Sequence, residues 1–238
     1  MEAPPFLFNS VKFGDRARSL DTSRWTVRRE KGKAFLLPLR SIAILLLGAS
    51  VSSLPAALPR TLGITILGNP TDPRVAAVSE AVVFWNRELD TAGAHVRLGP
   101  VRVVEGSIAD GTLRELSREV VRGWGGEPPE ETDRVSGEVV VAFSQADLVS
   151  FAIPWTRRSK GFVALRRADV PPLSLPNVAR NAAAHELGHV LGLSHNDDPT
   201  TLMCGRPAPC RPTLFASDTD RFFPLTREDE EELRERWP

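Results

Sequence analysis

Apolar positions along the chain follow two regimes. From Ala34 to Leu58 they run almost together, and the centre of that stretch, Ser41 to Ala49, carries no charge. Beyond residue 60 they break into short segments separated by Gly, Pro and Asn. Thr61 to Leu67 is β-branched and apolar and predicts a strand, closed by the turn Gly68-Asn69-Pro70. Asp72-Pro73 then pairs a cap with a proline at a first helical position, and Val75, Val78, Val82 and Trp85 follow at helical spacing to about Leu89. His95 to Val104 alternates as a second strand. Leu113, Leu116, Val120 and Trp124 mark a short helix, and Gly123 to Asp133 is polar and Gly/Pro-rich, so it predicts a loop. Glu138 to Phe143 and Gly161 to Leu165 have the continuous apolar character of buried strands.

Two helices close the pattern. Asn177 is placed to cap a helix running through three alanines to Leu191. Thr226-Arg227-Glu228-Asp229 resembles a capping box, with Glu230/Arg234 and Glu232/Arg236 spaced for i,i+4 pairs. The acidic run there predicts a solvated face, with Leu233 and Trp237 turned inward.

Charge divides the chain where the pattern does. The 30 basic and 30 acidic residues balance, which gives no reason to expect nucleic acid as a partner. Residues 1–40 nevertheless hold nine Lys/Arg against four Asp/Glu, a net of +5 that leaves −5 for the rest. A basic stretch, Arg28 to Lys33, followed by an uncharged core shorter than the ~20 residues of a comfortable membrane span, predicts an export signal. Residues 1–58 are therefore expected to be a basic leader and signal, and residues 59–238 the catalytic domain. A start near Val27 would leave a signal of ordinary length. The mature protein is expected outside the cytoplasm, whether secreted, periplasmic or cell-surface, touching a membrane only through the signal or an N-terminal anchor.

The chemistry concentrates in His185-Glu186-Leu187-Gly188-His189, continuing through Gly192 to His195. On a helix, His185 and His189 leave the same face about one turn apart and can share one metal ion. His195 would lie about 9 Å further along the axis if the helix continued. Gly192 sits where a left-handed C-cap can turn the chain back toward the metal.

These residues resemble the metzincin motif H-E-x-x-H-x-x-G-x-x-H, and Thr201-Leu202-Met203, eight residues beyond the third histidine, resembles its Met-turn. Five fixed positions at this spacing arise by chance in on the order of one chain in 10⁵. The order of strands and helices and the closing Leu225-Thr226 helix suit the matrixin-like branch. The resemblance implies an α/β (α+β) catalytic domain with a mixed, roughly five-stranded sheet, an active-site helix, a Met-turn and a C-terminal helix. It implies one catalytic Zn²⁺ held by His185, His189 and His195, Glu186 as general base, and Met203 as a hydrophobic floor. Three neutral imidazoles leave an open position whose water has its pKa lowered to about 7, and Glu186 accepts that water's proton during attack on a peptide carbonyl.

The implied activity is zinc-dependent endopeptidase action on peptide or protein, with extended substrate lying beside the strand Gly161 to Leu165. Two other readings stay open: a noncatalytic zinc-stabilised binding module at a cell surface, which Glu186 disfavours, and a zinc amidase acting on a nonpeptide substrate. The chain has no tyrosine, so metzincin branches with a Tyr after the Met-turn fit less well. His95, the remaining histidine of four, cannot build a second, His-rich zinc site. Calcium near Asp197/Asp198 or Asp218/Asp220 is conceivable, but scattered carboxylates are usually solvated. Both cysteines, Cys204 and Cys210, follow the motif, so the N-terminal cysteine switch of many matrixins is not expected. An exported protein with an even cysteine count and a proline-bearing five-residue spacer favours a Cys204–Cys210 disulfide. Two reduced cysteines, one packed below the metal, are the rival reading.

Overall fold

The computed structural model describes residues 58–123, 125–171, 173–205 and 220–238. The leader and signal expected over residues 1–58 fall outside it except for Leu58, as do Trp124, Cys210 and Asp218. No helix among the described residues is long and apolar enough to cross a membrane.

Strand β1 (Arg60–Leu67) leads through helix α1 (Pro73–Ala92) to β2 (Val96–Val104), then α2 (Asp110–Val121), β3 (Val139–Phe143), β4 (Phe151–Ile153), β5 (Gly161–Leu165), α3 (Pro176–Leu191) and α4 (Arg227–Arg236). The sheet order is β2-β1-β3-β5-β4, with β4 antiparallel to β5 and the other pairs parallel. This is the mixed five-stranded sheet expected from the motif.

Strand alternation divides the core. Leu62, Ile64 and Ile66 of β1, Val139 and Val141 of β3, and Val163 and Leu165 of β5 face α1, α3 and α4. Val140, Ala142, Phe162 and Ala164 point to the other face, with Leu113 of α2. Alternate residues project to opposite sides of a strand, so a continuous apolar run is what a sheet covered on both faces requires.

Helix α1 begins where Asp72 accepts the Arg74 amide at 2.9 Å and ends at Gly93, whose φ of 72° is left-handed. Its Trp85 is fully buried and donates Nε1–H to the Ala184 carbonyl at 2.8 Å. The two helices are thereby joined one residue before His185.

Four expectations are corrected. The chain from Phe151 to Ile153 forms a strand the hydrophobic pattern did not mark, because three residues between Ser150 and Pro154 are too few to show a period. Strand β5 is interior, lying between β3 and β4, so its edges are already paired; among the described residues, β4 ends the sheet on that side. Asn177 does not cap α3: Leu175 is the cap, Pro176 occupies the first turn, and the Asn177 side chain accepts from Asn181 Nδ2 at 3.3 Å. Within the expected loop Gly123 to Asp133, a 3-10 turn forms over Glu130–Arg134, buries Thr132 and is tied to Lys160 Nζ through the Thr132 carbonyl at 2.8 Å.

One ion pair, its arginine buried and its aspartate partly exposed, fastens the strands together. Arg74, 2% exposed, pairs with Asp72 through Nη2 at 2.6 Å. Its Nη1 donates to the carbonyls of Ser144 (2.7 Å), Arg166 (2.9 Å) and Leu165 (3.2 Å), joining the ends of β3 and β5 to the start of α1. Removing the guanidinium takes the side-chain donor from these three carbonyls and the partner from Asp72. Arg74→Met is therefore expected to lower unfolding free energy by about 3–5 kcal/mol. Urea unfolding at constant m-value reads this, and a loss below about 1 kcal/mol would contradict it.

Candidate metal centre

Helix α3 brings His185 and His189 to one face, and the chain leaves the helix through Gly192. Its φ of 105° is left-handed, and Leu193 N–H returns to the Gly188 carbonyl at 3.0 Å. That reversal carries His195 back over the helix. The three Nε2 atoms converge: His185 to His189 is 3.2 Å, His185 to His195 3.1 Å, and His189 to His195 3.0 Å.

Hydrogen bonding sets two of the ring tautomers. His185 Nδ1 lies 2.8 Å from the Leu202 carbonyl, and His189 Nδ1 lies 2.8 Å from the Leu193 carbonyl. A carbonyl only accepts, so each Nδ1 carries the proton and each Nε2 presents a lone pair. Facing lone pairs repel unless a cation lies between them. Tetrahedral zinc with nitrogen ligands at about 2.0–2.1 Å would hold those nitrogens about 3.3–3.4 Å apart. The observed triangle fits that requirement closely, and three neutral imidazoles form a donor set that zinc accepts.

Glu186 follows His185 on the same helix and is 4% exposed. Burial pushes its carboxyl up to about 8. Burial also depresses His189, partly offset by the Leu193 carbonyl. Both shifts follow from taking charge out of water, and a dication among the rings would pull the carboxyl back toward ionisation.

The floor of the site is the turn Thr201 to Cys204. Met203 is fully buried, and a Cβ added at Gly188 would lie 2.5 Å from its Sδ and 2.9 Å from Trp85 Cζ2. Glycine at 188 is thus what lets the helix rest on the methionine. Leu202 is the hub: its carbonyl receives His185, and its N–H donates to the Pro224 carbonyl at 2.8 Å. Gly205 lies against the His195 ring so closely that no side chain would fit.

Several contributors were not visible beforehand. The Leu193 and Leu202 carbonyls orient rings through backbone, which carries no residue signature. Asn181, fully buried one helical turn before His185, accepts Phe223 N–H at 2.9 Å and donates to the Arg221 carbonyl at 2.9 Å, anchoring the segment that returns to α4. Asp229 was read as part of a solvated face; its capping box forms, but it is buried and also meets Asn196. The i,i+4 ion pair on α4 is Arg227–Glu231, while Arg234 donates to the Ala92 carbonyl.

His95 stands apart from the triad, exposed at the start of β2. The Asp198 carboxylate is engaged by Thr200, and Asp220 pairs with Arg180. Cys204 is buried and disulfide-bonded, while Cys210 lies outside the described residues.

Residues 153–229 match the family model described as Matrixin. No curated protein matches the chain. Among solved structures, archaemetzincin from Methanopyrus kandleri is similar at 14% identity and a TM-score of 0.43, covering 76% of this chain and 97% of its own. Metalloproteinase-II from Bacteroides fragilis is similar at 15% identity and a TM-score of 0.45, covering 76% of this chain and 55% of its own.

The Glu186 environment sets a pH dependence in the metal-free protein. Its folded carboxyl titrates at about 8 against an ordinary 4.5, so the folded state holds the proton more tightly. The resulting stability is complete below about 4.5 and lost as pH rises through 8. Glu186→Gln removes this loss, while His189 contributes to both proteins alike. In chelator-treated samples, the stability of Glu186→Gln relative to the parent should therefore increase from pH 5 to pH 8. Thermal unfolding measures it, and a constant difference would contradict the assignment.

Proposed function

We propose that this chain, whose residues 153–229 match the Matrixin family model, is an exported zinc-dependent endopeptidase. The observation that carries the reading is the closed triangle of Nε2 atoms beside buried Glu186. His185, His189 and His195 would hold one zinc ion, which in such a site supplies Lewis acidity and lowers the pKa of its water to about 7.

The chain's own groups do the rest. The Leu193 and Leu202 carbonyls keep two imidazoles neutral and aimed inward, so that a bound ion would retain its full charge. Glu186, on the helix that carries two ligands, takes a proton from the attacking water and delivers it to the leaving amine. Burial suits both halves of that shuttle, because a carboxylate near neutrality can give up the proton it has accepted. Substrate would extend the sheet beside β4, whose one strand partner among the described residues is β5. Export is supported by the basic segment Arg28 to Lys33 and the uncharged core Ser41 to Ala49. The Cys204 disulfide, which we assign to Cys210, agrees with an oxidising destination.

The test is digestion of a broad peptide library by the purified mature chain. Zinc-dependent cleavage at internal bonds is expected; tight zinc binding without cleavage would favour a binding module, and cleavage confined to nonpeptide amides an amidase. Glu186→Ala is expected to retain zinc and lose at least ~10²-fold in turnover, and undiminished cleavage would reject it as the base. His195→Ala should weaken zinc binding itself, and unchanged affinity would remove it from the ligand set. Mass analysis of the nonreduced exported protein should give a bridged Cys204–Cys210 peptide, whereas two alkylatable thiols would contradict the pairing.

A further inference from the structure

We propose that α4 is a positioning element for the third metal ligand, acting through the contact of Asp229 with Asn196. The inference rests on the zinc reading of the three histidines.

His185 and His189 owe their places to a regular helix. His195 does not: it stands on the irregular segment 192–196, which must be ordered before its ring can join the other two. That segment and the residue before it are met by α4 and by the tryptophan that follows it. Trp237 Nε1 donates to the Leu191 carbonyl at 3.1 Å. The Arg236 guanidinium lies directly over Gly192, so close that a Cβ there would displace it. The Glu232 carboxylate interacts with the Ser194 backbone. Asp229 Oδ2 accepts from Asn196 Nδ2 at 3.2 Å. At 100° per residue, Asp229, Glu232 and Arg236 fall within about 60° of one another around the helix. The helix therefore runs antiparallel to the ligand segment and touches it at regular intervals.

Asn196 joins this face to the Met-turn. Its Oδ1 accepts from Asp198 N at 3.1 Å and from Thr201 Oγ1 at 3.0 Å. Its backbone pairs with the turn on both sides: Asn196 N donates to the Met203 carbonyl at 2.9 Å, and Gly205 N donates to the Asn196 carbonyl at 3.0 Å. Asp229 is itself fixed by the capping box, accepting Thr226 N–H at 2.8 Å while its own N–H donates to Thr226 Oγ1 at 3.0 Å. The residue beside the third ligand is thus clamped between two rigid elements. Order imposed in advance lowers the entropy that metal binding must remove.

The experiment measures Zn²⁺ affinity by chelator competition, the Co²⁺ d–d spectrum and thermal unfolding of the metal-free chain. The variants are Asn196→Ala, Asn196→Asp, Glu232→Ala and Glu232→Gln, with Glu231→Ala as a control on the exposed side of α4. Asn196 lies outside α4, so its replacement leaves the capping box intact. Asn196→Asp keeps the acceptor for Asp198 and Thr201 but sets a carboxylate against Asp229. Both Asn196 variants are expected to bind zinc ~10–100-fold more weakly and to alter the Co²⁺ bands, while the metal-free chain still unfolds cooperatively, at a temperature somewhat below that of Glu231→Ala because side-chain hydrogen bonds of Asn196 are lost. Glu232→Ala should weaken zinc in the same direction, and Glu232→Gln, which keeps an acceptor, should restore it. Unchanged affinity and spectrum in both Asn196 variants would overturn the proposal. So would a loss confined to Asn196→Ala, which would assign the effect to the turn alone. Failure of the parent chain to bind zinc would overturn the reading of the site, and this proposal with it.

Discussion

Three imidazole nitrogens aimed at one point repel one another, and the rest of the site is organised around holding them there. Two are constrained by helical geometry and by carbonyls that accept hydrogen bonds from their outer N–H groups. The third depends on a reversal at Gly192 that only a left-handed backbone makes comfortable. Without a cation the arrangement costs energy; with one, the same geometry becomes a preformed ligand set. The packing around it has to be stiff enough to bear that cost.

Stiffness comes from large side chains wedged where the backbone approaches closely. Trp85 and Met203 meet at Gly188, so α1, α3 and the Met-turn share one contact in which no side chain is tolerated on the helix. Asn181 and Leu202 then tie the same helix to residues 221–224. The low exposure that keeps this assembly rigid also raises the Glu186 carboxyl. Stability and chemistry are coupled through burial: the environment that would serve proton transfer is one that folding must accept at the expense of an ionised group.

Much of this was legible in the residues themselves. The spacing of His185, Glu186, His189, Gly192 and His195 identifies a helix, a turn and a convergence, because helical periodicity and a glycine cap are local rules. Strands β1, β2, β3 and β5 were readable because each holds at least five residues of recognisable pattern. What escaped depends on tertiary contact. The three residues of β4 are too few to show a period, and sheet order, which makes β5 interior, is not written in any one strand. Asn177 has a side chain that suits a cap, but the helix starts at Pro176, two residues before the start such a cap would give. The acidic run on α4 looked solvated because charge usually is; Asp229 is buried because Asn196 and its own capping box occupy its oxygens and amide.

These elements bear on one claim, that a single zinc ion sits among three imidazoles on this chain. X-ray absorption at the zinc edge of the purified protein, combined with metal counting, tests it most directly. The account predicts one zinc per chain, bound by three imidazole nitrogens at about 2.0–2.1 Å and one light, nonhistidine donor. A sulfur scatterer at about 2.3 Å, or fewer than three imidazoles around the ion, would contradict it.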